Sequence, residues 1–365
     1  MNSISRATDQ YEAWLAKHTN LVEADLARKH EQMTSGLFPF FRATYYRWAQ
    51  HWPEVCAELA TAREVLAVGD LHVENFGTWR DDEGRLVWGV NDFDEAYPLA
   101  YTNDLVRLAA SALVAIDESH LKLRAARACD AIVAGYTEGV KAGGAPFVLA
   151  EQHGWLRRLG SGSVRDPAVF WRNFDELVPV HAPKNVRELL ETVLPEPGLE
   201  YRVVPRVAGE GSLGHQRFVA VAAWQGASIA REAKARAPSA SEWANHDAET
   251  GDYYRAIMRR AVRTPDPLLV VRKRWVLRRL APDCSRVELA ALPKQRDEGR
   301  LLHAMGWETA NVHLGSAKAA KGVLRDVRRR PQGWLLAAAL SMVEAMASDW
   351  EEWKLAQPPS PGQRS

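Results

Sequence analysis

Three cysteines in 365 residues, Cys56, Cys129 and Cys284, are too few and too scattered for a disulfide framework or a structural zinc site. They fit a reducing compartment. A net charge of +1 leaves neither the basic footprint of a nucleic-acid binder nor a funnel for acidic substrates. The short basic runs at 272–274 and 328–330 read as solvated surface. No apolar run reaches the roughly 18 residues of a membrane span. The first six residues, Met-Asn-Ser-Ile-Ser-Arg, lack the apolar stretch of a signal peptide. A cytoplasmic protein with no membrane and no nucleic-acid partner is therefore expected. No Gly-Lys-Ser/Thr occurs behind a glycine cluster, which excludes a P-loop. No internal repeat is visible.

What is present is an ordinary globular composition, 47% hydrophobic and 25% charged, in a chain long enough for about two domains. Residues 8–32 read as a polar helix, and Phe38-Pro39-Phe40-Phe41-Arg42 breaks it. Val65-Leu66-Ala67-Val68 is a buried strand ending at Gly69. Residues 76–79 and 86–90 are strands joined by the turn Asp81-Asp82-Glu83-Gly84, hence a hairpin. Residues 103–118 and 123–141 are apolar at helical spacing. A loop-rich region with short helices, such as 186–193, runs from about 145 to 200. Residues 201–207, 217–224, 228–234 and 268–280 are extended. Helices are expected at 247–263 and 333–354.

Two blocks carry chemistry. Gly69-Asp70-Leu71-His72-Val73-Glu74-Asn75 closes the first strand, and Asn91-Asp92-Phe93-Asp94-Glu95 closes the hairpin. Kinase-type phosphoryl transfer needs an acid group at the acceptor hydroxyl, an Asn five residues on for Mg²⁺, and a second Asp for Mg²⁺ against the phosphates. Asp70, Asn75 and Asp92 have that order and spacing, with Asp94 as an additional ligand. The hairpin folds the chain back, so Asn75 and Asp92 can share one cation. His72 either shapes the loop or packs. Asp104, twelve residues past Asp92, opens a helix, where an acid suits the dipole.

The usual upstream glycine-rich loop is missing. Gly209-Glu210-Gly211-Ser212-Leu213-Gly214 lies about 140 residues downstream instead, between two extended segments. Such a loop lets backbone N–H groups approach phosphates, although a tight hairpin has the same composition. No helix opens at Gly214, which disfavours a dinucleotide site. Lys234 follows the next strand, where a lysine would pair the phosphates. Its acidic partner is open, with Glu249 or Glu242 as candidates. Gly69-Asp70-Leu71-His72 and Asn245-His246-Asp247 also suggest a metallophosphatase, but a binuclear site needs a further Asp and two further His.

With these residues the chain resembles the bacterial domain-of-unknown-function family 2252, of the protein-kinase-like superfamily near aminoglycoside and choline phosphotransferases. The likeness rests on Phe38 to Arg42, Gly69 to Gly77, Asn91 to Glu95, Asp104 to Leu108, Gly209 to Gly214, Lys234 with Pro238-Ser239, and Val276 to Leu280. Val68 departs from the superfamily pattern, which has His there. The resemblance implies an α+β, two-lobed protein-kinase-like fold with its lobes in circularly permuted order. The expected units are an N-terminal helical segment at 1–62, a catalytic core at 63–200, a nucleotide-covering sheet at 201–290, C-terminal helices at 291–356 and a disordered tail at 357–365. It implies ATP and Mg²⁺ as cofactors and an unknown, small-molecule hydroxyl acceptor, with Asp104 bracing the catalytic loop. Asp70 is then the catalytic residue. Asn75, Asp92 and Asp94 are metal ligands, and Gly209, Gly211, Ser212, Gly214 and Lys234 bind the nucleotide. Acceptor specificity is expected in residues 143–200. A nucleotide-binding pseudokinase and a metallophosphatase remain the alternatives, and phosphoryl or nucleotidyl transfer and the oligomeric state stay open.

Overall fold

A computed structural model of the chain describes residues 2–150, 152–162, 166–207, 213–246, 251–284 and 297–357. The fold is α+β. Five helices open it: α1 (Ile4–Ala16), α2 (Glu23–Ser35), α3 (Leu37–Ala43), α4 (Tyr45–Val55) and α5 (Ala57–Ala60). The stretch 8–32, expected as one helix, is therefore divided between α1 and α2, and the segment 38–42 beyond the end of α2 is itself helical. Pro39 sits in the first turn of α3, where its missing N–H has no intrahelical partner to lose.

Strand β1 (Glu64–Ala67) follows, then the hairpin β2 (Phe76–Arg80) and β3 (Leu86–Val90), and β4 (Tyr97–Ala100). β1 pairs antiparallel with β4. In the hairpin, Phe76 lies opposite Val90, so Asn75 and Asn91 leave it side by side; the Asn91 N–H donates to the Asn75 carbonyl at 3.0 Å. Next come α6 (Tyr101–Asp117), α7 (Ala125–Ala142) and β5 (Phe147–Val148), which extends the hairpin sheet. Helices α8 (Gly154–Gly162), α9 (Pro167–Asp175) and α10 (Lys184–Glu191) lead into the second half.

That half is one antiparallel sheet built from β6 (Arg202–Pro205), β7 (Arg217–Trp224), β8 (Ala227–Ala235), β9 (Val270–Arg272) and β10 (Trp275–Leu280), in the order β6-β7-β8-β10-β9. Between β8 and β9 lie α11 (Ala240–Asn245) and α12 (Tyr253–Arg260). The helix expected over 247–263 is shorter than its pattern, and 247–250 fall outside the described residues. The extended run 268–280 is a hairpin, turned at Lys273 with φ +52. One sheet face packs on α10 through Ala220, Ala233 and Leu277. The other carries Val204, Val219 and Ala230 against Phe170 and Phe174 of α9.

The chain then returns to the first half as α13 (Glu298–His313), α14 (Ala317–Arg329) and α15 (Trp334–Ala356). One apolar core takes in residues of α1 to α4, β1, α6, α7, α13 and α15. α7 and α13 approach through reciprocal glycines. A Cβ on Gly135 would stand 1.9 Å from the His303 carbonyl oxygen, and one on Gly306 would stand 2.2 Å from that of Ile132. This close approach holds α13 directly behind the hairpin.

Glu308 of α13 is buried there. Its carboxylate accepts from Val90 N at 3.2 Å and from Asn311 Nδ2 at 2.7 Å. Burial outweighs Arg263 and these hydrogen bonds and pushes its carboxyl up to about 7 from an ordinary 4.5. Between those values the folded state holds a proton that the unfolded chain has released. Stability from this group is thus complete below about pH 4.5 and falls as pH rises to about 7. At ~1.4 kcal/mol per unit the loss is a few kcal/mol. Glu308→Gln should flatten the profile, gaining on the wild type between pH 5 and pH 8 in urea titrations. Parallel profiles would refute the assignment.

Candidate functional site

The loop after β1 is held from below. Asp104, wholly buried on α6, accepts from Val68 N at 2.7 Å and from Gly69 N at 2.9 Å. His313 Nε2 of α13 lies 2.9 Å from the same carboxylate, and His313 Nδ1 lies 2.8 Å from the Tyr136 hydroxyl. Gly69 adopts φ +81, and a Cβ there would stand 2.2 Å from the Glu95 carbonyl oxygen, so only glycine fits. The chain is thereby aimed to present Asp70.

Arg107, fully buried on α6, donates from Nε and Nη2 to Asp70 Oδ1 at 3.1 and 2.7 Å. Its guanidinium is fixed by the Phe41 carbonyl at 2.7 Å and stacks 3.7 Å from the Phe41 ring. Both contacts fall on one oxygen, which leaves Asp70 Oδ2 for the cavity. Burial pushes the Asp70 carboxyl up, and Arg107 opposes that rise. Asn75 spends its amide N–H groups on the Asp70 and Asp92 carbonyls, both at 3.1 Å. Its Oδ1 is the atom left to accept or to ligate.

Asp92 and Asp94 stand where the hairpin ends. Asp92 Oδ1 accepts from Asp94 N at 3.1 Å. Lys234 Nζ, from β8, lies 2.8 Å from Asp92 Oδ2 and also forms an ion pair with Asp94. Burial alone would raise the Asp92 carboxyl, but Lys234 beside it holds it well below the usual range. Burial and the Asp92 charge push Asp94 the other way. Asp94 Oδ1 is buried with no hydrogen-bond partner among the described residues. Two carboxylates and an amide oxygen form a hard-oxygen donor set of the kind Mg²⁺ takes. Among the described residues no three His, Cys, Asp or Glu side chains converge on a metal position. His246 follows α11 in a left-handed conformation, and Asp247 lies outside the described residues.

The sheet brings more charge to this point. Lys234 lies opposite Arg217 on β7, and Glu232 lies opposite Arg278 on β10. The buried Glu232 carboxylate accepts from Arg206 at 2.7 Å, Arg217 at 3.2 Å and Arg278 at 2.6 Å. Burial would raise it, but these three cations hold it well below its ordinary value. Lys234 pairs with the two aspartates. Glu249, Gly209, Gly211 and Ser212 lie outside the described residues. Gly214, with φ +95, packs on Leu26 of α2, and its carbonyl accepts from Val22 N at 2.9 Å.

A 60 Å³ cavity opens beside Asp70, Asn75, Asp92 and Asp94. Its remaining wall comes mainly from the N-terminal helices: Tyr11 of α1, Lys29 of α2, Arg42 of α3, and Tyr45 and Tyr46 of α4. Among the described residues, none of 143–200, where acceptor recognition was expected, is in this lining. His215 also lines it, and burial together with Lys234 pushes this imidazole down to about 3, so it is neutral. Glu95 closes the floor. It accepts from Ala240 N at 2.6 Å and Ser239 Oγ at 2.9 Å, tying the hairpin end to α11. The sequence reading missed Arg107, Lys29 and Glu232. Arg107, three residues past Asp104 in the helix, was the only one with a local signal.

The family model described as "Uncharacterized protein conserved in bacteria (DUF2252)" matches residues 21–153. The matched stretch includes Lys29, Asp70, Asn75, Asp92 and Asp94, but not Lys234. No curated protein and no solved structure matches the chain.

Proposed function

We propose that a chain with these contacts is an ATP- and Mg²⁺-dependent phosphotransferase of circularly permuted kinase-like fold, acting on a small hydroxyl compound. The observation that carries the reading is the 2.8 Å contact between Lys234 and Asp92, which joins two motif blocks 142 residues apart. Neither block handles a triphosphate alone: one offers metal ligands, the other cations.

In this reading Asp92, Asp94 and the Asn75 amide oxygen would hold Mg²⁺, which would supply charge neutralisation for the phosphates. Lys234 leaves its aspartates for the phosphate oxygens. Asp70 Oδ2 receives the acceptor's hydroxyl proton as the new O–P bond forms and the bond to the leaving diphosphate oxygen breaks. Arg107 keeps Asp70 oriented and opposes the rise that burial gives its carboxyl. A regulatory pseudokinase is the second reading. It is favoured by Lys234 already neutralising both aspartates as an internal counter-ion.

Mg·ATP should raise the thermal midpoint. At a hundredfold excess over Kd the gain is about 2.7 kcal/mol. Asp92→Asn should remove the Mg²⁺-dependent part, which EDTA on the wild type should reproduce. Absence of any shift with nucleoside triphosphates at millimolar concentration would sink both readings. A shift without ADP release across candidate acceptors would favour the pseudokinase.

A further inference from the structure

We infer that the cavity beside Asp70 recognises an acceptor carrying its own negative group, a carboxylate or a phosphate, and that Lys29 binds that group. The inference rests on the phosphotransferase reading for the word acceptor, and on the cavity alone for the anion.

Lys29 is 3% exposed, a degree of burial rare for lysine. Its Nζ lies 5.5 Å from the Tyr46 ring centre and 6.0 Å from that of Tyr11, and the side chain lines the cavity. Among the described residues it has neither hydrogen bond nor ion pair. The nearby acids are engaged elsewhere: Glu12 with His30 at 2.9 Å, and Glu95 with the start of α11. Burial lowers the Lys29 ammonium, and those two acids only partly offset this from a distance. A desolvated cation without a counter-ion is costly to keep, and an anion entering the cavity would remove that cost.

The other cations of the wall differ. Arg42 is paired with Glu74 at 2.7 Å, and His215 is neutral. The phosphate-side cations, Lys234 with Arg206, Arg217 and Arg278, arrive on the sheet or its flank. Lys29 arrives on α2, in a wall shared with three tyrosines. It shares that cavity with Asp70 and is on this ground assigned to the molecule that meets Asp70. At ~10–15 Å³ per water-sized probe, 60 Å³ suits a head group of a few non-hydrogen atoms.

The test compares wild type, Lys29→Met and Lys29→Arg with glycerol, glycerate and glycerol 3-phosphate, which share hydroxyls and differ in charge. Thermal midpoint and ADP release are read with and without Mg·ATP. At least one charged probe should raise the wild-type midpoint where glycerol does not, and which of them does so tells carboxylate from phosphate. Lys29→Met should weaken that binding roughly 10- to 100-fold, the worth of one charge-assisted hydrogen bond. Lys29→Arg should retain most of it, and the Mg·ATP shift should persist in both variants. The ligand-free midpoint of Lys29→Met should equal or exceed the wild type, because an unpaired charge is gone; if that variant does not fold, Lys29→Gln replaces it. No response to either charged probe, equal binding of glycerol, or an unchanged anion shift in Lys29→Met would overturn the inference. So would loss of the Mg·ATP shift in that variant, which would move Lys29 to the nucleotide. A wild type that binds a charged probe but not Mg·ATP would keep the anion site and remove the phosphotransferase reading.

Discussion

Asp70→Asn should lower kcat by about 10²–10⁴-fold, the range for a positioned acid or base, and leave Mg·ATP affinity within a few fold. The reason lies in how the two carboxylate oxygens are used. Oδ1 takes both contacts from Arg107, at 2.7 and 3.1 Å. An amide oxygen can still accept these, so the side chain keeps its place. What is lost is the negative Oδ2 that would receive the acceptor's proton. Arg107 also loses its counter-charge, so some stability goes with it, and turnover must be compared well below the variant's midpoint. Lys234→Ala should behave differently, impairing nucleotide affinity as well as turnover, because Lys234 pairs with Asp92 and Asp94, the proposed metal ligands. If Asp70→Asn consumes ATP at the wild-type rate, Asp70 is not the base.

Glu232→Ala should be the most destabilising single change at the site, by about 3–5 kcal/mol, the usual loss when one member of a buried ionic cluster is removed. Glu232 is fully buried and receives three guanidinium groups. Without it Arg206, Arg217 and Arg278 face one another across an empty position on the sheet. Its unfolding should become strongly sensitive to added phosphate or sulfate, since an anion can replace the missing carboxylate. Urea denaturation with and without these salts measures both effects. A loss under about 1 kcal/mol would show that the cluster relaxes and that Glu232 is not its organiser.

The legible part of the site was the part written in local sequence. Val65 to Gly69 is short, apolar and ends in a residue of positive φ, and Asp81 to Gly84 is a turn between two apolar runs. From these alone the meeting of Asn75 with the hairpin end follows. Strand 217–224 was equally plain. The role of α13, within the helices expected at 291–356, was not, because it is buried on nearly every side and carries His303, Glu308, Asn311 and His313 among its apolar residues. It shows no clean stripe. Lys29 failed to signal for the opposite reason. A lysine in the charged stretch Glu23 to Gln32 reads as solvent-facing, and only the packing of Tyr11 and Tyr46, from two other helices, buries it. Arg107 had a local signal in its spacing from Asp104, but its partner lies 37 positions upstream. Contacts of that range come from tertiary packing, which no window of sequence reports.

α13 acts on the site through two separate contacts. His313 reaches the carboxylate that holds the Asp70 loop, and Glu308 holds the N–H of Val90, two residues before Asp92. The two acidic loops are thus indexed to one rigid rod, five residues or about 1.4 turns of helix apart, and they share its position as a common reference. A shift of α13 along its axis would carry both loops together and preserve their spacing. A change that bends it between 308 and 313 would separate them. The stretch matched by the family model, residues 21–153, holds Asp70, Asp92, Asp94 and Glu95 but not this rod. Expressed alone, that stretch would carry the reactive groups without the ruler that spaces them.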